Sequence, residues 1–440
     1  MRHYPALFIC WFTGLLLSYG QEPILSREEA VAQALENNLG IQVSENLRDI
    51  DENNASLLNS GYLPTLSANG GGSIDRQNTE GQLANGDIRE AIGAETRRYN
   101  ASLNLNYVLF DGLGRYYDYK RFQERSKQSE LEVRQTIEIT LLQLFSVYYE
   151  VARLEENTAN LREALNISKN RLERARYQFD FGQNTGLDVL NAEVDVNTDS
   201  VNLLNAEQLL RNTKRDLNLV LNRDLSLGFE ADTTVQFLPA LQIEEMLDDA
   251  RENNVRMLLA EKDIRISEYN MKAARSGYLP TVGLTGSYGW NESTNNSPLA
   301  FVLQNTSTGL NGSINLTWNL FDGGRTLNTT RNARITYENQ QLLKEQTGLE
   351  VERDIQNAWG NYQNARYVLM VQEKNLQTNL DNFNRSKERY ELGQITSIEF
   401  RQAQLNLLNA ELTRSQAKYN AKLAELQLLQ VSGQLLNVAY

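Results

Sequence analysis

The chain has 440 residues, with 43 Lys and Arg against 56 Asp and Glu and a formal net charge of −13. That acidic balance argues against nucleic acid as a partner. The single cysteine, Cys10, and the single histidine, His3, both fall in the opening stretch, so thiol, disulfide, imidazole and Cys/His metal chemistry have no residues to draw on beyond it.

Arg2 and His3 are followed by an apolar run from Ala6 to Leu17, and Ser18-Tyr19-Gly20 puts small residues before Gln21. Residues 1–20 are therefore expected to be a secretory signal peptide. The run is shorter than the ~20 residues of a spanning helix, and the bulky Phe8-Ile9 before Cys10 argues against a lipid anchor. No later apolar run reaches spanning length, so residence in a membrane would require a β-barrel.

The rest of the chain is one unit written twice. Ser60-Gly61-Tyr62-Leu63-Pro64-Thr65 returns 216 residues later as Ser276-Gly277-Tyr278-Leu279-Pro280-Thr281. Glu36-Asn37-Asn38 returns at the same interval as Glu252-Asn253-Asn254. Leu109-Phe110-Asp111-Gly112 returns 211 residues later as Leu320-Phe321-Asp322-Gly323, as does Phe181-Gly182-Gln183 with Thr185 as Leu392-Gly393-Gln394 with Thr396. The two repeats are expected at 21–224 and 242–440, separated by a small mixed segment at 225–241 that forms a side domain beside the coils.

Each repeat opens with a helical segment, 26–59 or 242–275, that stops before Pro64 or Pro280. Strands are expected at 62–75 and 97–110, then at 281–290 and 310–321, with polar loops at 76–95 and 291–309. In the returning strands Tyr99, Ala101, Leu103, Leu105 and Tyr107 alternate with Asn100, Ser102, Asn104 and Asn106, and Ile314, Leu316 and Trp318 alternate with Ser313, Asn315 and Thr317. Period two over this length fits a barrel strand, apolar to lipid and polar to the lumen; a soluble sandwich strand is the competing reading.

Asp111 and Asp322 then stand as N-caps of helices expected at 113–180 and 325–391. Each is on the order of 100 Å long at about 1.5 Å per residue. Ile137, Leu144, Val151, Leu165, Leu172 and Phe179 keep a seven-residue step broken only by Thr158, the narrow seam of a coiled coil. Gly182 and Gly393 end these helices, and Thr185 and Thr396 cap return helices at 186–222 and 397–431. Helix accounts for roughly 60–65% of the chain, about double the globular average. That is a tube or rod, and no catalytic constellation accompanies it.

Four strands cannot close a barrel, and open edges are not tolerated in lipid. An eight-stranded barrel from two chains would be filled by its own side chains, whereas twelve strands from three chains can stay open. The long helices exceed the bilayer core about threefold and must project from it. The residues thus point to a trimeric, hollow conduit of mixed α and β structure.

The ordered, duplicated set of Tyr-Leu-Pro, Leu-Phe-Asp-Gly and Gly-x-x-Thr motifs resembles the TolC-type outer-membrane efflux proteins, over essentially the whole chain after the leader. The resemblance implies a homotrimer with a twelve-stranded barrel in the outer membrane of a Gram-negative bacterium and a periplasmic α-helical barrel below it. It implies, as partners, a periplasmic adaptor and an inner-membrane transporter that supplies the energy, with no cofactor and no nucleic acid. The implied function is the exit duct of a tripartite efflux or type I secretion system. Phe181, Gly182, Gln183 and Thr185, with Leu392, Gly393, Gln394 and Thr396, correspond to its adaptor-contact hairpins. Glu399 and Gln402 correspond to a pore constriction, and Asp188 is the first-repeat counterpart of Glu399. A periplasmic scaffold or adaptor without channel activity is the alternative; it leaves four lipid-patterned strands unexplained.

Overall fold

The computed structural model describes residues 23–239 and 241–437; the expected leader lies outside them. A short strand β1 (Ile24–Leu25) leads into α1 (Arg27–Asn37) and α2 (Leu39–Asn54). The hairpin β2 (Thr65–Gln82) and β3 (Ile88–Phe110) follows, then the long α3 (Gly114–Asp180) and its return α4 (Gly186–Val220). After β4 (Glu230–Ala231) the order repeats as α5 (Ile243–Asn253), α6 (Val255–Ala274), β5 (Thr281–Asn295), β6 (Gln304–Thr317), α7 (Arg325–Glu391) and α8 (Ser397–Val431).

Each opening helical segment, expected as one helix, is two. Asn38 and Asn254 break them, both extended near φ −65°. The Asn38 Oδ1 accepts from the N–H groups of Gly40 and Ile41, and its Nδ2 donates to the carbonyl of Val220. Asn254 does the same with Arg256, Met257 and Val431. An amide can cap a new helix and reach a tertiary acceptor at once, which accounts for the repeated Glu-Asn-Asn.

The sheet runs β2-β3-β5-β6, antiparallel throughout. The strands β2, β3 and β5 outrun their expected limits and β6 starts at Gln304, ahead of the expected 310, so the connections shrink to 83–87 and 296–303. Residues 76–82 carry no apolar side chain, and a bulge shifts the ladder between Gln77 and Thr79, so no alternation marks this part of the hairpin in sequence. The last strand ends at Thr317, short of the expected 321. Leu103, Tyr288 and Leu310 stand abreast on one face, and all are exposed. A sandwich would cover them; the described residues place nothing over this face.

Around the waist of the helices lies the largest core, built from Leu144, Tyr148, Tyr149, Leu217, Tyr419 and Leu426 with Phe229. The α3 seam is buried at Leu144, Val151 and Leu165 but has opened by Phe179. The expected side domain is a strap instead. Only β4 pairs, with β1 in parallel, and the following stretch lies along α8. Lys418 donates to the Thr233 carbonyl at 3.2 Å, Lys422 to that of Gln236 at 2.8 Å, and the Leu238 N–H donates to Glu425 at 3.1 Å. Arg366 stacks over Phe237, 4.0 Å from its ring centre. Side chains of α8 thus partner the strap's backbone at Thr233, Gln236 and Leu238.

Candidate functional site

The molecule's two ends carry duplicated devices, and both depend on helix termini whose backbone groups need partners. At the far tip, α3 and α7 end alike. Gly182 has φ +71° and Gly393 has φ +72°, and the N–H of Gln183 and Gln394 turns back to the carbonyls of Gln178 and Arg389. Thr185 and Thr396 then start α4 and α8 with capping boxes closed by Asp188 and Glu399. The Glu399 carboxylate accepts from the N–H and the hydroxyl of Thr396, both at 2.8 Å. Those bonds, the N–H foremost, hold its pKa below the ordinary carboxylate value. Gln402 lies three residues on, exposed, and donates to Asn406 at 2.8 Å. Phe181 and Leu392 project from the two turns as exposed apolar knobs.

Sequence reasoning missed what ties these tips together. Arg401 of α8 reaches Asp199 of α4 with two bonds, 2.7 and 2.8 Å, and Ser168 of α3 at 3.0 Å. Gln404 donates to the Ala164 carbonyl at 2.7 Å. Arg171 pairs with Asp195 and donates to the Ser397 carbonyl. The side chains of Arg401, Asp199 and Arg171 are 10%, 4% and 2% exposed. This is a buried ionic bolt through three helices. Beside it Tyr390 and Phe400 stack with ring centres 4.7 Å apart. Charged residues at ordinary helical spacing gave no warning; the signal was Ser168, polar in the row of Leu154, Leu161 and Ala175.

At the strand-to-helix corners Asp111 and Asp322 are not the N-caps. Leu113 and Gly324 hold that position, with φ 71° and 88°. Two successive left-handed residues coil the chain so that the earlier carboxylate still reaches the first turn. Asp111 accepts from the Arg115 N–H at 2.9 Å, and Asp322 from the Thr326 N–H at 2.9 Å and its hydroxyl at 2.6 Å. The Thr326 hydroxyl, then its N–H, keep the Asp322 pKa below the ordinary value. Arg115 locks the first corner, donating to the Gly61 and Val108 carbonyls. Pro64 and Pro280 sit just before the first residues of β2 and β5.

No described helix is long and apolar enough to cross a membrane, and no described group of three His, Cys, Asp or Glu side chains could hold a metal. The pattern of the family described as outer membrane efflux protein matches residues 30–223 and 246–434, one segment for each repeat. The chain belongs to that family. It is a TolC-type protein, and the duplicated order of motifs in its sequence is the family's.

Among relatives of this efflux protein is the outer membrane protein TolC of Vibrio cholerae, 24% identical over 71% of this chain and 72% of that protein. The outer membrane efflux protein BepC of Brucella suis is 22% identical over 92% of this chain and 85% of its own length. The CmeC outer membrane channel of Campylobacter jejuni superposes with a TM-score of 0.75 at 17% identity, covering 99% of this chain and 94% of that one. At that identity the superposition establishes the fold, a long helical body joined to a small sheet.

Proposed function

We propose that three copies of this chain form the outer-membrane exit duct of a tripartite efflux or type I secretion system, conducting cargo passively from a periplasmic adaptor and inner-membrane pump to the exterior. One observation carries the reading: an antiparallel sheet with an uncovered apolar face and two unpaired edges is fused to helical hairpins of 67-residue rise. Lipid is the solvent that accepts such a face, and closure with other copies is what lipid requires of such edges. From Tyr99 to Tyr107 the lipid-patterned face spans ~26 Å along the strand at ~3.3 Å per residue, comparable with the ~25 Å apolar band of outer-membrane barrels. Three sheets give a twelve-stranded barrel wide enough to stay open, with most of the mass in the periplasm of a Gram-negative cell.

The two tips are the adaptor contacts in this reading. Phe181 and Leu392 offer apolar knobs, and Gly182, Gln183, Gly393 and Gln394 offer bare backbone. Glu399 and Gln402 of three copies form the constriction, with one ring of carboxylates and one of amides. Converging negative charge favours cations.

The test is single-channel conductance in a planar bilayer, wild type against Glu399→Gln. Gln can serve the same capping box, so this change removes charge while sparing the helix start; Glu399→Ala would confuse the two. A cation-selective conductance that loses selectivity in Glu399→Gln supports the ring. Unchanged selectivity rejects the ring and keeps the duct. Absence of conductance from membrane-inserted oligomers, with and without the adaptor, rejects the duct.

A further inference from the structure

The two repeats part company in a groove near the tip. It lies between α3 and α7, with the start of α8 beneath, and has a volume of about 370 Å3. Phe383, Phe400 and Tyr390 give it an aromatic wall, which Ile167 completes from α3. Phe383 and Tyr390 both stack on Phe400, with ring centres 5.6 and 4.7 Å away. Arg171 and Arg174 of α3 and Lys387 of α7 line the same groove.

Repeat mates 211 residues away show what is particular here. Arg174 keeps its charge as Arg385, and Lys387 as Arg176. Phe383 becomes Leu172, Phe400 becomes Val189 and Arg171 becomes Asn382. The first hairpin folds without those three, so the paired phenylalanines and the buried arginine are not what a hairpin of this kind requires.

The cations are short of acceptors. The Arg171 side chain is 2% exposed, and its Nη atoms serve Asp195 and the Ser397 carbonyl. Its Nε has no acceptor among the described residues. A guanidinium carries five donors and does not shed its charge, and a buried donor left unmet is costly. Lys387 is exposed and has no ion-pair partner among the described residues. Arg174 lies over the Tyr390 ring at 4.9 Å and donates to the Glu391 carbonyl. The acids of the groove, Glu163 and Glu391, are exposed, so water satisfies them. What the site lacks is an acceptor beside an aromatic wall.

We infer that this groove binds a small aromatic carboxylate or sulfonate, with the anion on Arg171 Nε and Lys387 and the ring against Phe383 and Tyr390. Its volume falls at the lower end of the ~300–1,000 Å3 of ligand pockets, which suits a molecule of two fused rings and excludes a folded peptide. Every lining residue belongs to one chain, so the site does not rest on the duct proposed above. Arg171 belongs both to the groove and to the ionic bolt. A ligand held by α3 through Arg171 and by α7 through Lys387 binds only where the helices converge, and so favours that convergence. It acts as an effector that braces the tip, not as cargo.

The test is titration calorimetry of the full chain in lipid nanodiscs, with empty nanodiscs as the blank. The probes are 2-naphthoate and 2-naphthalenesulfonate, with 2-naphthylmethanol and 2-naphthylmethylamine as the neutral and cationic controls. At least one anion should saturate at one site per chain, and neither control should. Lys387→Gln should raise its Kd about fivefold, the most that an exposed ion pair contributes. Phe383→Leu, which copies the first repeat, should also weaken binding, whereas Arg176→Gln should not. The inference is overturned if neither anion saturates, if a control binds as tightly as the anions, or if Lys387→Gln or Phe383→Leu keeps the wild-type Kd. With the anion bound, amide exchange near Ser168 and Gln404 should slow while amides near Tyr148 stay as they were. Unchanged exchange at the tip under saturating anion overturns the bracing and keeps the site.

Discussion

Removing the carboxylate of Asp199 should loosen the tip far more than removing the whole ion pair. In Asp199→Ala the Arg401 guanidinium keeps its burial, at 10% side-chain exposure, and loses both bonds to Asp199. Stranding one partner of a buried pair costs ~3–5 kcal/mol. Asp195 stays 3.5 Å from the Arg401 Nε and retains part of the attraction, so the low end applies, ~3 kcal/mol or roughly a hundredfold in local opening. Replacing both, Asp199→Leu with Arg401→Met, removes the charge and its desolvation together and should return to within ~1 kcal/mol of wild type. Native-state amide exchange reads this directly, because backbone amides of α3 near Ser168 and of α8 near Gln404 exchange through local opening. Amides near Tyr148, at the waist, serve as the internal reference. If Asp199→Ala leaves tip exchange unchanged, or the double variant is as loose as the single, the bolt does not hold the hairpins together and the burial argument fails.

Two further outcomes follow from the same geometry. Gly112→Ala should be markedly worse than Gly182→Ala: both glycines have left-handed φ, costing ~1–2 kcal/mol for any side chain, but a Cβ at Gly112 collides with Ser276 and one at Gly182 meets nothing within 4 Å. Equal loss of thermal stability in the two variants would mean that the corner is not packed as described. Glu411 of α8 should be a neutral-pH liability, because burial, then the neighbouring Glu163, raises its pKa above 4.5. Its folded form favours the proton, so stability from this group is full below the unfolded pKa and is lost as pH rises through the folded value. Glu411→Gln should therefore raise the melting temperature at about pH 7 and leave it little changed at about pH 4. The same shift at both pH values would reject the cause.

Much of this protein was legible from residue order because its long elements are locally encoded. The 67-residue helix α3 needs only a long run without proline or interior glycine, a left-handed residue at each boundary and a seven-residue apolar step, and all lie close together in the chain. Repetition did the same for connectivity, since two copies of Tyr-Leu-Pro and Leu-Phe-Asp-Gly in one order imply two copies of one fold. Backbone detail resisted where several residues solve one problem together. Asp111 reaches the first turn of α3 only because Gly112 and Leu113 coil ahead of it, and Asn38 breaks a helix because Val220, 182 residues away, takes its amide.

Three-dimensional packing alone decided which charges matter. Arg401, Asp199 and Arg171 resemble dozens of solvated helix residues in sequence; they become a buried bolt only when α3, α4 and α8 converge, and desolvation then makes each bond worth holding. The strap from Thr233 to Leu238 likewise has no periodicity to read, since its partners are Lys418, Lys422 and Glu425 on a helix almost two hundred residues later. Local patterns carry information about faces and lengths because they repeat along the chain. Which polar groups are stripped of water depends on what arrives from elsewhere, and that is settled only when the helices meet.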